Sequence, residues 1–260
     1  GLVGSEMCIR DSPDADRCAA AIKDPRMGWR MLSGDEIGVI LGHYIATRFR
    51  DSCNGKAFGN SIVSSSTLGK IAKKNGIEFH ETLTGFKWLA KIPNLRFGYE
   101  EAIGYAVDAT SVNDKDGISA ALALRQCAAE LKAEGRTVAD FLDEIWNTYG
   151  YHSTLQISIR VPNISMVDGV LTRLRENQPK QLAGHSLTQF IDLAKPAEGL
   201  PATNGITLWY GERIRVIVRP SGTEAKLKCY IEVSGPYSDV EGVKKTVAAL
   251  KTELTELLKV

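Results

Sequence analysis

The sequence has no charge of one sign in excess, no long apolar run and no paired cysteines. Its 32 basic and 31 acidic residues leave a formal charge of +1. The basic residues are interspersed with acids, which argues against a nucleic-acid partner or a membrane surface. No apolar stretch is long enough to span a bilayer. The opening "GLVGSEMCIRDS" lacks the charged start and apolar centre of a secretory signal, so export is not expected. The five cysteines, Cys8, Cys18, Cys53, Cys127 and Cys229, are odd in number, widely scattered and without a C-x-x-C pair. They favour reduced thiols in a cytoplasm over a disulfide frame or a zinc site. Neither a short-period repeat nor a low-complexity tract occurs, and no residue pattern sets an oligomeric state.

What is present is enough chain, 260 residues, to bury a sizeable core in two or more domains. Strand and helix signals alternate with short breaks, which predicts α/β or α+β layers. "GDEIGVILGHYIATRF" carries Ile37, Ile40, Leu41 and Ile45 at helical spacing. "CNGKAFGN", Cys53 to Asn60, is polar and glycine-bearing and reads as a linker or exposed loop. "SIVSSS" reads as a strand running into a helix capped near Ser66, and "GIEFHETLTG" as a strand ending in a Thr-Gly turn. Two helices follow. One is capped by Asp116 and stopped at Gly135, and the other is opened by a Thr137 and Asp140 capping box. After "LQISIRV" the pattern resets, which predicts a domain boundary near residue 160. A helix around "VDGVLTRLREN", a Pro- and Gly-bearing connection and strands from Ile206 to Val233 then lead to a closing helix. Ser238 and Glu241 are spaced as its capping box, and Val240, Val243, Val247, Leu250, Leu254 and Leu257 form one stripe.

Three motifs carry candidate chemistry. In "DSPDADRC", Asp14 and Asp16 can aim alternate carboxylates at one hard cation such as Mg²⁺; a solvated turn has the same composition. In "RIRVIVRPSGTEAKLKCYIEV", Ile214, Val216 and Val218 alternate with Arg213, Arg215 and Arg219 on the outward side, and Leu227, Cys229 and Ile231 with Lys226, Lys228, Tyr230 and Glu232, which predicts two half-buried antiparallel strands around "PSGTEA". The turn's N–H groups and hydroxyls, with Arg219 as a two-pronged donor at the mouth, suit a phosphate. A plain hairpin with solvated basic residues is the competing reading. In "RFGYEEAIGY", Glu100 and Glu101 follow a short strand, where carboxylates can accept sugar hydroxyls. Paired acids also serve glycosidases, or simply a solvated loop.

The order of these segments decides among the readings. An acidic turn, a Thr-Gly loop, a Glu-Glu loop, "KDG" and "RPSGTEAK" together resemble the α-D-phosphohexomutase family, the phosphoglucomutase and phosphomannomutase enzymes. The resemblance runs from about Pro13 to the end of the chain. "ETLTGFKW" with "GYEEAIGY" is most similar to the branch of bacterial phosphoglucomutases and phosphopentomutase-like members. It implies an α/β fold. A mixed α/β/α sheet domain would be followed by a smaller α+β domain with an antiparallel sheet. Residues 1–54 would be the tail of the family's second domain, 55–160 its sugar-recognition domain and 161–260 its phosphate-binding C-terminal domain.

By the same resemblance, Asp14 and Asp16 are expected to ligate Mg²⁺, with Arg17 contacting phosphate or positioning the loop. Thr84, Gly85, Lys87, Glu100 and Glu101 are expected to line the sugar site, and Lys115 to reach the substrate phosphate. Arg219, Ser221, Gly222 and Thr223 would grip the phosphate that is not transferred, while Glu224 and Lys228 would be structural. The chain departs from the family at Ser12, where a third acid is expected and Asp11 stands one step out of register, and at Ala102, where many relatives have serine. The segment before Pro13 does not read as the apolar strand that should deliver the loop, which marks it as foreign to the family. The family's phosphoserine lies in a first domain that this chain is expected to lack, and "SIVSSST" has the wrong context to replace it. The implied function is a phosphosugar mutase that interconverts sugar 1-phosphates and 6- or 5-phosphates through a bisphosphate. As it stands the chain is expected to bind but not to turn over. A non-catalytic phosphosugar-binding or regulatory protein is the alternative, and a metal-dependent phosphatase would need more metal ligands.

Overall fold

The computed structural model describes residues 7–195 and 200–259. The chain divides between Tyr149 and Gly150 into two compact units. The first six residues of the opening segment, and 196–199 of the Pro- and Gly-bearing connection, lie outside the described residues.

The first unit starts with an antiparallel sheet in the order β1 (Met7–Asp11), β2 (Cys18–Asp24), β3 (Gly28–Met31). Met7–Asp11 therefore does form a strand, paired residue for residue with β2 from Met7↔Ile22 to Asp11↔Cys18. Its alternation of half-buried and exposed residues hid it from a search for an apolar run. Helix α1 (Gly34–Arg48) follows, opened by a reciprocal Ser33 and Glu36 capping box. Ile37, Ile40, Leu41 and Ile45 are buried as their spacing predicts. Gly38 and Gly42 let the helix lie against the sheet beneath, because a Cβ there would stand 2.6 Å from the Tyr99 ring and 2.5 Å from Leu68.

That second sheet has the order β5 (Glu78–Thr82), β4 (Ala57–Ser61), β6 (Leu95–Glu100), β7 (Gly104–Ala106). Strand β4 is parallel to β5 and β6, and β7 is antiparallel to β6. The linker reading of Cys53–Asn60 is corrected here: Ala57–Asn60 are the buried central strand. The segment looked polar because Gly59 packs under Ile92 and Leu89, and because Asn60 hydrogen-bonds the Ser65 carbonyl at 2.8 Å inside the fold. Helices α2 (Thr67–Lys74) and α3 (Phe86–Leu89) connect the strands. Ser66 is the residue before α2 but makes no side-chain cap; Ser65 Oγ accepts the Thr67 N–H instead. Helix α4 (Gly117–Ala133) is capped by Asp116 Oδ1, which accepts from the N–H groups of Ile118 and Ser119, and Gly135 takes φ +72° beyond its end. Helix α5 (Val138–Tyr149) carries the Thr137 and Asp140 box as expected.

The second unit is one antiparallel sheet in the order β8 (Tyr151–Arg160), β13 (Lys226–Gly235), β12 (Ile214–Pro220), β11 (Ile206–Tyr210), β10 (His185–Asp192), β9 (Gln181–Leu182). Helices α6 (Ile164–Glu176) and α7 (Val240–Leu257) cover one face around Val170, Leu171, Val216, Ile231, Leu250 and Leu254. The boundary falls ten residues before the one expected, because β8 pairs along its whole length with β13 and packs Leu155, Ile157 and Ile159 on this core. The closing box also differs. Ser238 sits in a short 3-10 turn, α7 starts without a side-chain cap, and Glu241 pairs with Lys244 at 3.0 Å. Among the described residues, no helix is long and apolar enough to cross a membrane, and all five cysteines are free thiols.

Candidate functional site

In open α/β sheets, ligand-binding loops gather beyond the carboxyl ends of the parallel strands. Here β5 leads into Thr84 and Gly85, β6 ends on Glu100, and β4 ends on Ser61. Gly85 has φ +112°, a conformation that side chains rarely tolerate. That turn aims its N–H at Glu100 Oε1, 2.6 Å away. One charge-assisted hydrogen bond thus joins the Thr-Gly loop to the Glu-Glu loop. The neighbouring Glu101 faces elsewhere. Its N–H donates to Ser64 Oγ at 3.0 Å, and its Oε2 lies 3.4 Å from the hydroxyls of Ser61 and Ser64, both fully buried. Sequence reasoning did not assign these serines, and the run of hydroxyls in "SIVSSS" at a strand end was the signal for them. Thr84 is half-buried beside Gly85, whereas Lys87 is exposed, with its ammonium 5.6 Å from the Trp88 ring.

Lys115 links this rim to the acidic turn. Its stem crosses Gly104, where a Cβ would stand 2.6 Å from Lys115 Cδ. Its Nζ lies 3.1 Å from Asp16 Oδ1, 3.6 Å from Asp114 Oδ1 and 5.6 Å from the centre of the Phe86 ring. Burial pulls the ammonium's pKa down, but the Asp16 and Asp114 carboxylates more than offset it and raise it above the usual lysine value.

The acidic turn joins β1 to β2 and is tied internally by Ser12. Its Oγ accepts from the N–H groups of Asp16 and Arg17, and its own N–H donates to the Arg17 carbonyl at 3.0 Å. Ala15, at φ +58°, presents its carbonyl to the Gly117 N–H at 2.9 Å, so the turn rests on the first residue of α4. A Cβ on Gly117 would meet Asp11 Oδ1 at 2.1 Å; Asp11 is therefore engaged at the positive end of α4. Asp14 is exposed, with its carboxyl held below the usual range chiefly by the Ser12 hydroxyl. Asp16 faces Lys115, and Arg17 Nε stands 3.6 Å from the same carboxylate. Among the described residues no group of three or more His, Cys, Asp or Glu is placed to hold a metal ion. A hard cation needs several oxygens at once. With one candidate ligand already neutralised by a lysine, the turn as it stands does not fit Mg²⁺.

The phosphate motif lies in the second unit and has the expected strand, turn and strand. Strand β12 pairs with β13 from Ile214↔Val233 to Pro220↔Leu227, with Arg219 opposite Lys228. The Ser221 N–H donates to the Lys226 carbonyl at 2.8 Å and closes the hairpin. Lys226 Nζ sits 2.5 Å from Glu224 Oε2 and holds that carboxyl below its usual range. Among the described residues, the Arg219 guanidinium, the N–H groups of Gly222 and Thr223 and the hydroxyls of Ser221 and Thr223 have no protein partner. The strands are less half-buried than the alternation predicts. Arg215, read as outward, is buried and binds Glu232 at 2.7 Å, whose other oxygen takes His152 Nδ1 at 2.9 Å.

Comparison with known proteins follows the same division. Residues 33–149 match the phosphoglucomutase/phosphomannomutase alpha/beta/alpha domain III, and residues 172–250 match the C-terminal domain of those enzymes. A probable phosphomannomutase of Haemophilus influenzae is 42% identical over 232 residues, which are 89% of this chain and 47% of the relative. The phosphopentomutase of Homo sapiens is 31% identical over 284 residues, covering 97% of this chain and 46% of that one. The chain thus spans about half the length of the curated relatives it matches. Among solved structures, pp63/parafusin from Paramecium, a phosphoglucomutase in open form, aligns over 99% of this chain and 46% of its own, with a TM-score of 0.70 at 22% identity. That likeness speaks for the fold alone.

Proposed function

The chain belongs to the phosphoglucomutase/phosphomannomutase family, and from that premise we propose that it is the sugar- and phosphate-recognising part of a phosphosugar mutase. Such an enzyme is an isomerase that moves a phosphoryl group between the 1-position and the 6- or 5-position of a sugar by way of a bisphosphate. Glu100, held by the Gly85 N–H through one oxygen, keeps its second oxygen for sugar hydroxyls, with Thr84 and Lys87 alongside. Glu101, turned to Ser61 and Ser64, positions Glu100 instead of touching the sugar. Lys115 supplies positive charge for a phosphate at this rim. In the second unit, Arg219 offers a planar pair of donors to the phosphate that is not transferred. The N–H groups of Gly222 and Thr223 and the hydroxyls of Ser221 and Thr223 complete that seat. No step of this reading runs through Mg²⁺, because Asp14 and Asp16 do not form a cation site as they stand. The unpaired thiols are in keeping with a cytoplasmic enzyme.

The observation that carries the reading is the 2.6 Å bond between Gly85 and Glu100, which joins two distant segments at one strand end beside Lys115. The test is an NMR titration of the full chain with hexose 1- and 6-phosphates, pentose phosphates and the unphosphorylated sugars. Phosphosugars are expected to shift Gly85, Glu100 and the Arg219 turn, and the free sugars to bind without measurable effect. Shifts confined to other residues would overturn the assignment. A second reading, a phosphosugar-binding or regulatory protein without turnover, rests on the same Arg219 turn, whose donors can hold a phosphate without any transfer of it. Conversion of glucose 1-phosphate to glucose 6-phosphate separates the two. We expect it from the product of the whole reading frame and not from these 260 residues alone.

A further inference from the structure

Strands β10 and β11 fall out of step by one residue, because Leu187 pairs with Tyr210 and Gln189 with Trp209. Thr188 is the extra residue, a β-bulge of the kind that re-aims the side chains around it. Its hydroxyl is shared between the Trp209 carbonyl, 3.0 Å away, and the Gly211 carbonyl, 3.2 Å away. Gly211 takes φ +62°, a turn that glycine makes without strain, and Glu212 follows it. Thr188, Gln189, Trp209, Gly211 and Glu212 together line a cavity of about 590 Å³, within the range of small-molecule sites.

The chemistry of the lining narrows the ligand. Leu208 and Tyr210 belong to the core under α6 and α7, so Trp209, between them, stands on the opposite face of the sheet. There Arg215 of β12 flanks the indole on one side, its guanidinium 5.9 Å from the ring centre. Gln189 of β10 flanks it on the other, since residues directly opposite in a sheet point to the same side. The indole already holds one cation, so a second is disfavoured and a neutral flat ring that can stack is favoured. Among the described residues, the Gln189 carboxamide and the Glu212 carboxylate have no hydrogen-bond or ion-pair partner. A carboxamide presents a donor and an acceptor in one plane, which matches N7 and the 6-amino group of adenine; guanine shows two acceptors at that edge. A carboxylate accepts ribose hydroxyls, as acids do in dinucleotide sites. We propose that this cavity binds an adenine nucleoside, with the base stacked on Trp209 and read by Gln189 and the ribose held by Glu212. The cavity lies at the end of β12 away from the Arg219 turn, and the inference does not depend on the mutase reading.

The test is an NMR titration of the full chain with adenosine, which has no phosphate to draw it to the Arg219 turn. Guanosine, glucose and choline are titrated in parallel. Adenosine is expected to shift the Trp209 indole N–H, the Gln189 side-chain amide and the Glu212 N–H, and to leave Gly85 and Arg219 unmoved. Trp209→Ala should weaken binding roughly tenfold or more, and Trp209→Phe, which keeps an aromatic face, should recover part of the loss. Gln189→Leu, at an exposed position that the fold does not need, should bring adenosine down to the affinity of guanosine. Unmoved signals of Trp209, Gln189 and Glu212 at millimolar adenosine overturn the proposal, and so does Gln189→Leu with the parent's preference intact. Glucose or choline shifting Trp209 as strongly as adenosine overturns it too, because the occupant would then be a sugar or an ammonium ion.

Discussion

The rim of the first unit and the turn of the second treat their polar groups in opposite ways. At the rim the carboxylates of Glu100, Glu101 and Asp16 already have protein partners. Glu100 has the Gly85 N–H, Glu101 the hydroxyls of Ser61 and Ser64, and Asp16 has Lys115. At the turn, Arg219 and the N–H groups of Gly222 and Thr223 have no protein partner among the described residues, and the turn's own acid, Glu224, is taken up by Lys226. Internal partners shape the rim before any ligand arrives, so a ligand there exchanges one set of bonds for another. The open donors of the turn gain new bonds outright, so binding energy should concentrate at the turn and geometry at the rim.

That contrast is most exposed to failure at Arg219. A charge-assisted bond contributes about 1.5 to 3 kcal/mol, so Arg219→Ala should weaken phosphosugar binding by roughly ten- to a hundredfold, measured by calorimetry on the full chain. Arg219→Lys should recover part of the loss, because the ammonium keeps the charge without the planar pair of donors. Lys115→Ala should cost less. An equal loss from Lys115→Ala would erase the distinction between the two regions.

The scaffold beneath the rim shows the same reliance on internal pairing. The Asp24 side chain is fully buried and is bound by Arg26 at 3.1 Å and Arg30 at 3.4 Å. Arg26 chiefly, opposed by burial, brings its carboxyl down to about 2. A depressed carboxyl stabilises the fold above its unfolded value near 4 and loses that contribution as the pH falls through about 2. Asp24→Asn should therefore reduce stability by about 2 kcal/mol at neutral pH, and the gap between variant and parent should close in acid. Urea unfolding at pH 7 and at pH 3 measures both; a gap that persists unchanged in acid would contradict it.

A smaller effect is expected from Glu100→Ala. Losing one partly buried hydrogen bond, about 1 kcal/mol, should speed hydrogen exchange at the Gly85 amide by roughly fivefold. Exchange at the Arg219 turn should stay as it was. The smallest effect concerns the acidic turn. Lys115→Met frees Asp16 without adding a ligand, so calorimetry should find Mg²⁺ affinity raised only a few-fold, and more if Ser12→Asp restores a third carboxylate. Tight Mg²⁺ binding by the parent chain would show that Lys115 does not occupy the turn.

Much of this was legible because it is local. Asp116 before α4, Gly135 after it and the Thr137 and Asp140 box act within four residues of themselves. The hairpin around "PSGTEA" also needs no distant partner beyond the strand that follows it. The Gly85 turn was readable for the same reason. The sites joined by distant contacts were not. The sequence shows Glu100 and Glu101 as a pair, and the fold sends one to Gly85 and the other to Ser61 and Ser64. The polar letters of Cys53–Asn60 suggested exposure, because a polar side chain satisfied by a buried partner is spelled the same way as one satisfied by water.

By itself, then, the sequence determined the alternation of elements, the caps of α4 and α5, the hairpin around "PSGTEA" and the order of motifs that marks the family, all carried by spacing along the chain. Tertiary structure alone decided that β8 joins the second unit, because its partner β13 begins some seventy residues later in the chain. It also decided that Arg215, Glu232 and His152 form a buried ion-paired group and that Lys115 answers Asp16 across nearly a hundred residues. Pairing of strands and of charges depends on which groups meet once water is excluded, and no local pattern encodes that meeting.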